Sequence, residues 1–589
     1  GFDVAIRIGR LEDSSLIAKR LASVGFVCAA SKRYLDRRRP IERPEDLSEH
    51  NCLRYSLNRQ PSEWRFERDG EAIGVKVTGT LVANNGEALC EAAVSGLGVV
   101  YQPAFIIGAD LDAGRLQPLL QEWTRRLPGA APATAQAAPL CRPSGERIPP
   151  SWPLAKRAKR SDRDGRRRGG RMSTTAKSIL VIGAGIVGLS TALFLQDDGH
   201  RVTLVDPARP GSGTSSGNAG IISVSSVTPL VTPETLKALP AMLANPMGPL
   251  KLRWRHLPTL LPWLTRAALA SRRATVERAT IGIQALASRA LRAHEVLIQR
   301  AGAGDLFRSG GWVKVALDQP ALDRLVAAEA PLLDRFGIPY EVLDREALHD
   351  LEPALSSEMA GGLWLTANRE ITHPQAYSDR LAALFFERGG KQETSRVKGL
   401  AIESGRVIGA LTTEGTLAAD ALVVAAGAFS SDLARAAGHT VPLDTERGYH
   451  LMLPHTSPSL GRPIYFSNPG FLLAPMDHGV RLTSGVELAS LEAPPDFSLP
   501  QRLLPLARRY LPGLKPQVLS EWQGFRPSLP DSLPVIGASR RHANVYFAFG
   551  HQHLGLTLGP ITGRIIADLV AGRDPGLDMA LYAPDRRFW

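Results

Sequence analysis

In FDVAIRIG, Phe2, Val4, Ile6 and Ile8 alternate with Asp3, Ala5 and Arg7, a period of two that predicts a half-buried strand. A mixed pattern follows. SSLIAKRLA reads as a helix, GFVCAA as a strand, GEALCEAAVSGLG as a helix capped by Asn85, and VVYQPAF as a final strand. Together these predict a small ligand-binding α/β lobe over residues 1–125. From Arg126 to Arg171 the hydrophobic period vanishes into a Pro-, Ala- and Arg-rich stretch, which predicts a disordered linker. Patterning resumes at Met172, where MSTTAKSILVIGAGIVG gives a polar lead, a buried strand, a glycine turn and a helix. Such a start looks like a fresh N-terminus, and the expectation is that residues 1–171 are the remnant of another gene plus translated spacer.

Composition narrows this picture. A chain of 589 residues exceeds one hydrophobic core, and 44% hydrophobic with 22% charged residues is an ordinary globular balance. The four cysteines are Cys28, Cys52, Cys90 and Cys141, so no disulfide scaffold, iron–sulfur cluster or cysteine nucleophile lies beyond position 141. The formal charge of +13 is concentrated: between Lys156 and Arg171 nine basic residues face only Asp162 and Asp164. Over half the excess therefore sits in the linker, which reads either as a solvated spacer or as a nucleic-acid tail, and not as a folded DNA-binding surface. The first thirty residues lack the order of a secretory signal, and the longest apolar stretch, Ile179 to Leu195, is punctured by Gly183, Gly185 and Gly188. A cytoplasmic protein is expected.

Those glycines carry chemistry. The strand Ser178–Ile182 runs into G-x-G-x-x-G and then a helix from Leu189 to Gln196. The first glycine makes the tight turn, the second admits a pyrophosphate to the backbone, and the third lets helix and strand pack closely. The helix N-terminus offers free N–H groups to phosphates. A second strand, HRVTLVD, ends at Asp206, eighteen residues past Gly188, where a carboxylate reaches a ribose hydroxyl. These features predict dinucleotide binding and leave NAD and FAD both open. Downstream, ADALVVAAGAF ends in Ala426, Gly427 and Ala428, and NVYFAFGHQHLGLTLGPITG predicts a strand, a glycine loop and a helix starting near Pro560. His373 and His450 have no partner at metal-ligand spacing, so no metal is expected, and no G-x-S-x-G signals a serine nucleophile. In KLRWRHLPTLLPWLTRAALASRR, cationic Lys251, Arg253 and Arg255 precede apolar Leu257, Leu260, Leu261, Trp263 and Leu264. This segment reads either as a helix packed on its own domain or as a contact with the inner face of the plasma membrane.

Two resemblances add to this reading. FDVAIRIG, SKRYL, PEDLSEHNCL, NNGEALCEAAVSGLGVVYQPAF and AGRLQPLL resemble the later part of the effector-binding domain of LysR-type transcriptional regulators. That implies a partial periplasmic-binding-protein-like lobe. The family's helix-turn-helix is not among these segments, so no nucleic-acid partner is expected.

VIGAGIVGLSTALFLQDDGHRVTLVD, GTSSGNAG, WQGFRPSLPDSLPVIG and FGHQHLGLTLGPITG, in that order over 172–589, resemble the FAD-dependent D-amino-acid dehydrogenase and oxidase superfamily, closest to D-hydroxyproline dehydrogenase-like members. The resemblance implies an α/β fold: a Rossmann-like FAD domain (176–222, 370–440, 530–589) with an antiparallel-sheet α+β substrate domain (223–369, 441–529). It implies FAD as cofactor, contacted by Gly183, Gly185, Ile186, Val187, Gly188, Asp206, Ser216, Asn218, Ala219, Gly220, Ala426, Gly427, Gly555, Thr557 and Thr562. Asp206 stands where flavin members more often carry Glu. Arg526 in GFRPSLPD matches the family's carboxylate-binding arginine, and a planar guanidinium suits a desolvated carboxylate. Tyr449 in ERGYH and His553 in GHQHLG are further expected substrate contacts.

The implied reaction is hydride transfer from Cα of a D-amino or D-imino acid, D-proline or cis-4-hydroxy-D-proline, to flavin N5, with electrons passed to a quinone or carrier. A glycine- or sarcosine-type amine oxidase using oxygen, and an effector-binding regulator fragment, are the alternatives.

Overall fold

The structure is a computed structural model that describes residues 26–56, 62–68, 71–83, 86–112, 114–123, 176–468 and 470–589. The expected strand FDVAIRIG, the helix SSLIAKRLA, the cap at Asn85, Cys141 and the linker 126–171 lie outside the described residues. The chain divides into two compact units, one within 1–163 and one within 164–589.

In the first unit a five-stranded sheet runs in the order Val82–Ala83, Cys52–Tyr55, Val99–Pro103, Phe26–Ala30, Gln117–Leu119. Its central pair, Phe26–Ala30 with Val99–Pro103, is antiparallel, whereas Cys52–Tyr55 pairs parallel to Val99–Pro103. Helices Gly86–Val94 and Ala104–Asp112 belong to the same unit. Cys28, Cys52 and Cys90 are buried, and burial raises the Cys52 thiol to about 12, so it sits as an inert core side chain.

The second unit is built on two large sheets. The six-stranded one has the order Lys391–Glu393, Arg201–Val205, Ser178–Ile182, Ala421–Val424, Val545–Phe549, Val535–Ala538. Its first five strands are parallel and the last is antiparallel. The near-continuous apolar runs ILVI and ALVV are buried because a parallel sheet is covered on both faces. On one face Ile186–Asp197 packs against Gly555–Val570, and small residues set the approach: a Cβ on Gly563 would lie 2.6 Å from the backbone of Ser190. The nine-stranded sheet holds Asp444–Leu453 between Gly479–Leu488 and Ser520–Ser528, both antiparallel to it.

One expected boundary is corrected. The last helix begins at Gly555, so Pro560 lies inside it and not in its first turn. Proline lacks the N–H that would bond the carbonyl four residues earlier, that of Leu556. His294, from the helix Arg273–Ala301, supplies the missing donor, its Nε2 lying 3.0 Å from that carbonyl. A carbonyl only accepts, so Nε2 carries the hydrogen and Nδ1 accepts from the Tyr377 hydroxyl at 3.2 Å. Burial lowers this histidine to about 4, which keeps the ring neutral.

The segment from Lys251 to Arg273 is in large part packed on its own unit and leaves a few residues exposed. Leu250–Leu252 pairs with Gly479–Leu488, Lys251 bonds Ser498 and Arg253 bonds Glu487, so two of the three cations serve the protein's interior. In the helix Leu257–Ala270, Leu260 and Trp263 are buried, while Trp254 just ahead of it is 70% exposed and Leu261 is exposed. No helix among the described residues is long and apolar enough to cross a membrane.

Candidate active site

A cavity of about 1180 Å³ runs from the glycine turn of the six-stranded sheet to the face of the nine-stranded one. At its first end the walls are backbone. Gly183 has φ +105°, a conformation that disfavours any side chain, and Gly185 and Ile186 open the helix. Gly183, Gly185, Ile186, Val187 and Asp206 all line the cavity, as do Asn218, Ala219, Ala426, Gly427, Gly555 and Thr557. The Asp206 carboxylate accepts from the Ala184 N–H at 2.8 Å and the Ala208 N–H at 2.9 Å, so the shorter acid also ties the glycine turn to its strand.

Four expected cofactor contacts do not line it, each for a physical reason. Gly188 is turned inward: a Cβ there would lie 1.9 Å from the Gly183 carbonyl oxygen, so its role is close packing of helix on strand. Gly220, at φ +75°, presses on the Ile371 carbonyl. Ser216 donates to the Gly213 carbonyl at 2.8 Å within its own loop. Thr562 is fully buried against His551, at 2.9 Å from Nε2.

The loop GTSSGNAG is held from the other sheet. Arg481 donates to the carbonyls of Ser216 (3.2 Å) and Asn218, and His450 Nδ1 lies 3.1 Å from the Gly217 carbonyl. Burial pulls Arg481 down to about 10 and His450 to about 3, the latter helped by the Arg481 charge. The Trp522 ring stacks on His450 with centroids 4.9 Å apart, and a Cβ on Gly217 would lie 2.2 Å from that indole. Ser215 accepts from the Ile186 N–H at 3.0 Å, capping the helix opened by the glycine turn. The sequence names none of Ser215, Arg481 or Trp522 individually: Ser215 falls inside GTSSGNAG and Trp522 opens WQGFRPSLPDSLPVIG, while no motif points to Arg481.

At the second end the walls are side chains. Arg526 stands directly opposite Glu446 in the antiparallel register and lies over Gly448, where a Cβ would meet its guanidinium nitrogen at 2.5 Å. Glycine at 448 is thus the space that the guanidinium occupies. Among the described residues the Arg526 side chain makes no hydrogen bond and no ion pair within 4 Å, and burial draws it below the ordinary arginine range, with Glu446 acting in the opposite sense. Tyr449, an expected substrate contact, lines the cavity, and its hydroxyl is already engaged, donating to Glu487 and accepting from the Asp496 N–H at 3.3 Å. His553 is open to the cavity and among the described residues its side chain makes no hydrogen bond; desolvation by the surrounding walls, then the Arg526 and Lys314 charges, lower it to about 4. Gln552 beside it has φ +51°, a strained backbone at the mouth of the last helix.

The residues present fit a dinucleotide: a glycine-lined turn at a helix N-terminus for the diphosphate, and a long cavity ending in an unpaired cation. The FAD dependent oxidoreductase family matches residues 178–569, and the LysR substrate binding domain family matches residues 1–150, further than the 125 read from pattern. A protein named D-amino-acid oxidase from Bradyrhizobium diazoefficiens is 33% identical over 420 residues, which are 70% of this chain and 99% of that one. A D-amino acid dehydrogenase 2 from Mesorhizobium japonicum is 32% identical over 415 residues, covering 68% of this chain and 98% of that one. Among solved structures, glycine oxidase from Geobacillus kaustophilus superposes with a TM-score of 0.55 at 23% identity, over 70% of this chain and 99% of that one. The chain carries an N-terminal LysR substrate-binding domain, and over its larger part it belongs to the FAD-dependent oxidoreductase family, among the D-amino-acid oxidases and dehydrogenases, with FAD as cofactor.

Proposed function

We propose that the second unit oxidises the Cα–N bond of a D-amino or D-imino acid, with D-proline and cis-4-hydroxy-D-proline as the substrates to test first. The observation that carries this reading is the Arg526 guanidinium, unpaired at the end of the cavity opposite the glycine turn. A desolvated planar cation without a partner is a site for a carboxylate held by two charge-assisted bonds. FAD, when bound, supplies the acceptor for the hydride from Cα. Gly183, Gly185, Ile186, Val187, Asp206, Asn218, Ala219, Ala426, Gly427, Gly555 and Thr557 would hold it. The chain's own task is then orientation: Arg526 fixes the carboxylate, His553 offers a neutral ring to the amine, and Trp522 with Phe525 excludes water. The six-stranded sheet is the cofactor domain in this reading and the nine-stranded sheet the substrate domain. Steady-state kinetics on a panel of D- and L-amino acids test it, and turnover confined to L-isomers or to achiral amines overturns it.

One observation favours a second substrate reading. The cavity also has an apolar part of its lining, made by Leu236, Leu239, Met242, Trp263 and Leu264. A bulky apolar D-amino acid fills that space and proline does not, so relative kcat/KM for D-phenylalanine and D-proline decides between them.

For the acceptor we propose a quinone or carrier. The exposed Trp254, Arg255 and Leu261 form the surface that would rest on a bilayer, and co-sedimentation with anionic vesicles tests it. The names of the relatives divide between oxidase and dehydrogenase. Rapid reoxidation of the reduced holoenzyme in air, followed by stopped flow, would favour the oxygen-using alternative. We further propose that catalysis does not need the first unit, so a chain starting at Met172 keeps its flavin and its activity.

A further inference from the structure

Glu446 has no part in the reaction as derived above, yet it lines the cavity and is only 7% exposed. It faces Arg526 across the pair formed by Asp444–Leu453 and Ser520–Ser528. We propose that Glu446 is the counter-ion of Arg526 in the empty site and that it takes up one proton when a carboxylate ligand binds Arg526. The inference rests on the reading of Arg526 as the carboxylate anchor.

The argument is one of charge in a confined space. With the site empty, one cation and one anion balance. A bound carboxylate brings a second anion to the same guanidinium, and two carboxylates sharing one cation away from water do not both stay ionised. Protonating Glu446 restores the balance.

The surroundings leave Glu446 as the group that must respond. On the strand Gly479–Leu488 its register partner is apolar Leu488, and the neighbouring Glu487 is already held by Arg253 and Arg447. On its own strand Asp444 is paired with His256 at 3.4 Å, and the buried Arg447 is committed to Glu487 and to the Ala493 and Pro494 carbonyls. The helix Leu257–Ala270 buries Leu260, Trp263, Ala267 and Ala270, none of them charged. His553 is a neutral ring held near 4. Arg526 is therefore the one unpaired charge facing Glu446 among the described residues. Burial already raises the Glu446 carboxyl, and Arg526 with the neighbouring Ser528 hydroxyl holds it down. Covering Arg526 with a ligand removes the main restraint.

The same proton has a use in the reaction. An amino acid reaches the site as a zwitterion, and its ammonium must lose a proton before Cα can give up a hydride. With such a substrate the proton moves from nitrogen to Glu446. With a carboxylate that has no amine, it comes from solvent.

The experiment uses the flavin-loaded full chain and three amine-free carboxylates: formate, acetate and tetrahydrofuran-2-carboxylate. Binding is followed by the flavin absorbance, and proton uptake by an indicator dye in weak buffer. The expected result is about one proton per ligand bound at pH values between the Glu446 titration of the empty site and that of the liganded one, with Kd rising about tenfold per pH unit there. Glu446→Gln should keep its flavin, take up no proton and show a flat Kd over the same range. Arg526-dependent binding without proton uptake by the wild type between about pH 6 and 9 overturns the Glu446 inference alone, as does equal uptake by Glu446→Gln. Binding of none of the three, or equal binding by Arg526→Ala, overturns the carboxylate anchor beneath it. The wild-type uptake is decisive even if the glutamine variant loses its flavin.

Discussion

The two ends of the cavity are built by opposite means. At the glycine turn the essential feature is the absence of side chains: Gly183 at φ +105° and Gly188 against the Gly183 carbonyl leave the backbone bare. At the sheet end the essential feature is a side chain left without a partner. The contrast is sharpest between neighbours. Arg447 is 1% exposed and committed to Glu487 and two carbonyls, so it is structural, whereas Arg526 on the adjacent strand is uncommitted. Glu446 faces Arg526 across the strand pair without touching it, so the guanidinium N–H groups are left without an acceptor, which is costly in a cavity unless something arrives to accept from them. Those open donors are the physical case for a ligand.

The first way to break this comparison is to put a side chain where none fits. Gly188→Val places branched carbon where even a Cβ would sit 1.9 Å from a backbone oxygen, so the glycine turn cannot keep its shape. The expected outcome is near-complete loss of bound flavin, read as absorbance at 450 nm per chain (about 450 nm being the flavin band). A variant that retains stoichiometric FAD would show that the turn is more compliant than its packing implies.

The second removes the unpaired cation. Each hydrogen bond to a charged group contributes about 1.5 to 3 kcal/mol, so losing a bidentate pair in Arg526→Ala should lower kcat/KM by roughly a hundredfold or more. Arg526→Lys should recover only part, because a point charge cannot reproduce the planar fork. Flavin content should be unchanged in both. Near-normal efficiency in the alanine variant would move the carboxylate site elsewhere, with His553 next in line.

This difference between the ends also governs what could be read from the chain. The glycine turn was legible because its geometry is set by residues within six positions, Gly183 to Gly188, and backbone rules act over that range. The role proposed for Arg526 comes from resemblance alone. The setting of that arginine is not legible in the chain: Arg481 reaches the loop GTSSGNAG across 263 and 265 residues, and Thr214 exchanges hydrogen bonds with the Phe525 backbone across 311. No local period reports such pairs. Pro560 shows the same limit, since a first-turn proline is the local expectation and only a donor from 262 residues away makes the interior position tenable.

A third test asks how far the backbone end depends on the sheet end. Arg481→Met keeps most of the volume but leaves the Ser216 and Asn218 carbonyls without their donor. Loss of charge-assisted bonds of this kind should weaken FAD binding by about tenfold or more, measured by fluorescence titration of the apoprotein. The effect is smaller than for Gly188→Val because the loop can shift, while a backbone clash inside a helix cannot. An unchanged FAD affinity would mean that the loop is held by its own turns, such as the Ser216 bond to Gly213.

The smallest expected effect concerns the histidine beneath the last helix. His294 is fully buried, neutral, and lowered to about 4 from an unfolded value of about 6.5. Between those values the unfolded chain binds a proton that the folded one refuses, so this group makes stability fall as pH drops through that window. Above about 6.5 both states are neutral and the linkage vanishes. One such group contributes a slope of at most about 1.4 kcal/mol per pH unit. His450, His551 and His553, lowered to about 3, 3 and 4, act in the same sense, so the wild type should show a steeper slope than one group allows. His294→Gln keeps a donor for the Leu556 carbonyl and cannot charge. Urea unfolding of the two proteins at a series of pH values from about 7.5 to 4.5 should show a cost of about 1 kcal/mol at the upper end, from imperfect geometry, and a shallower fall toward the lower. Parallel curves would mean that His294 takes up its proton as readily in the folded state as in the unfolded one, and no cost at the upper end would mean that the carbonyl left open by Pro560 has another donor.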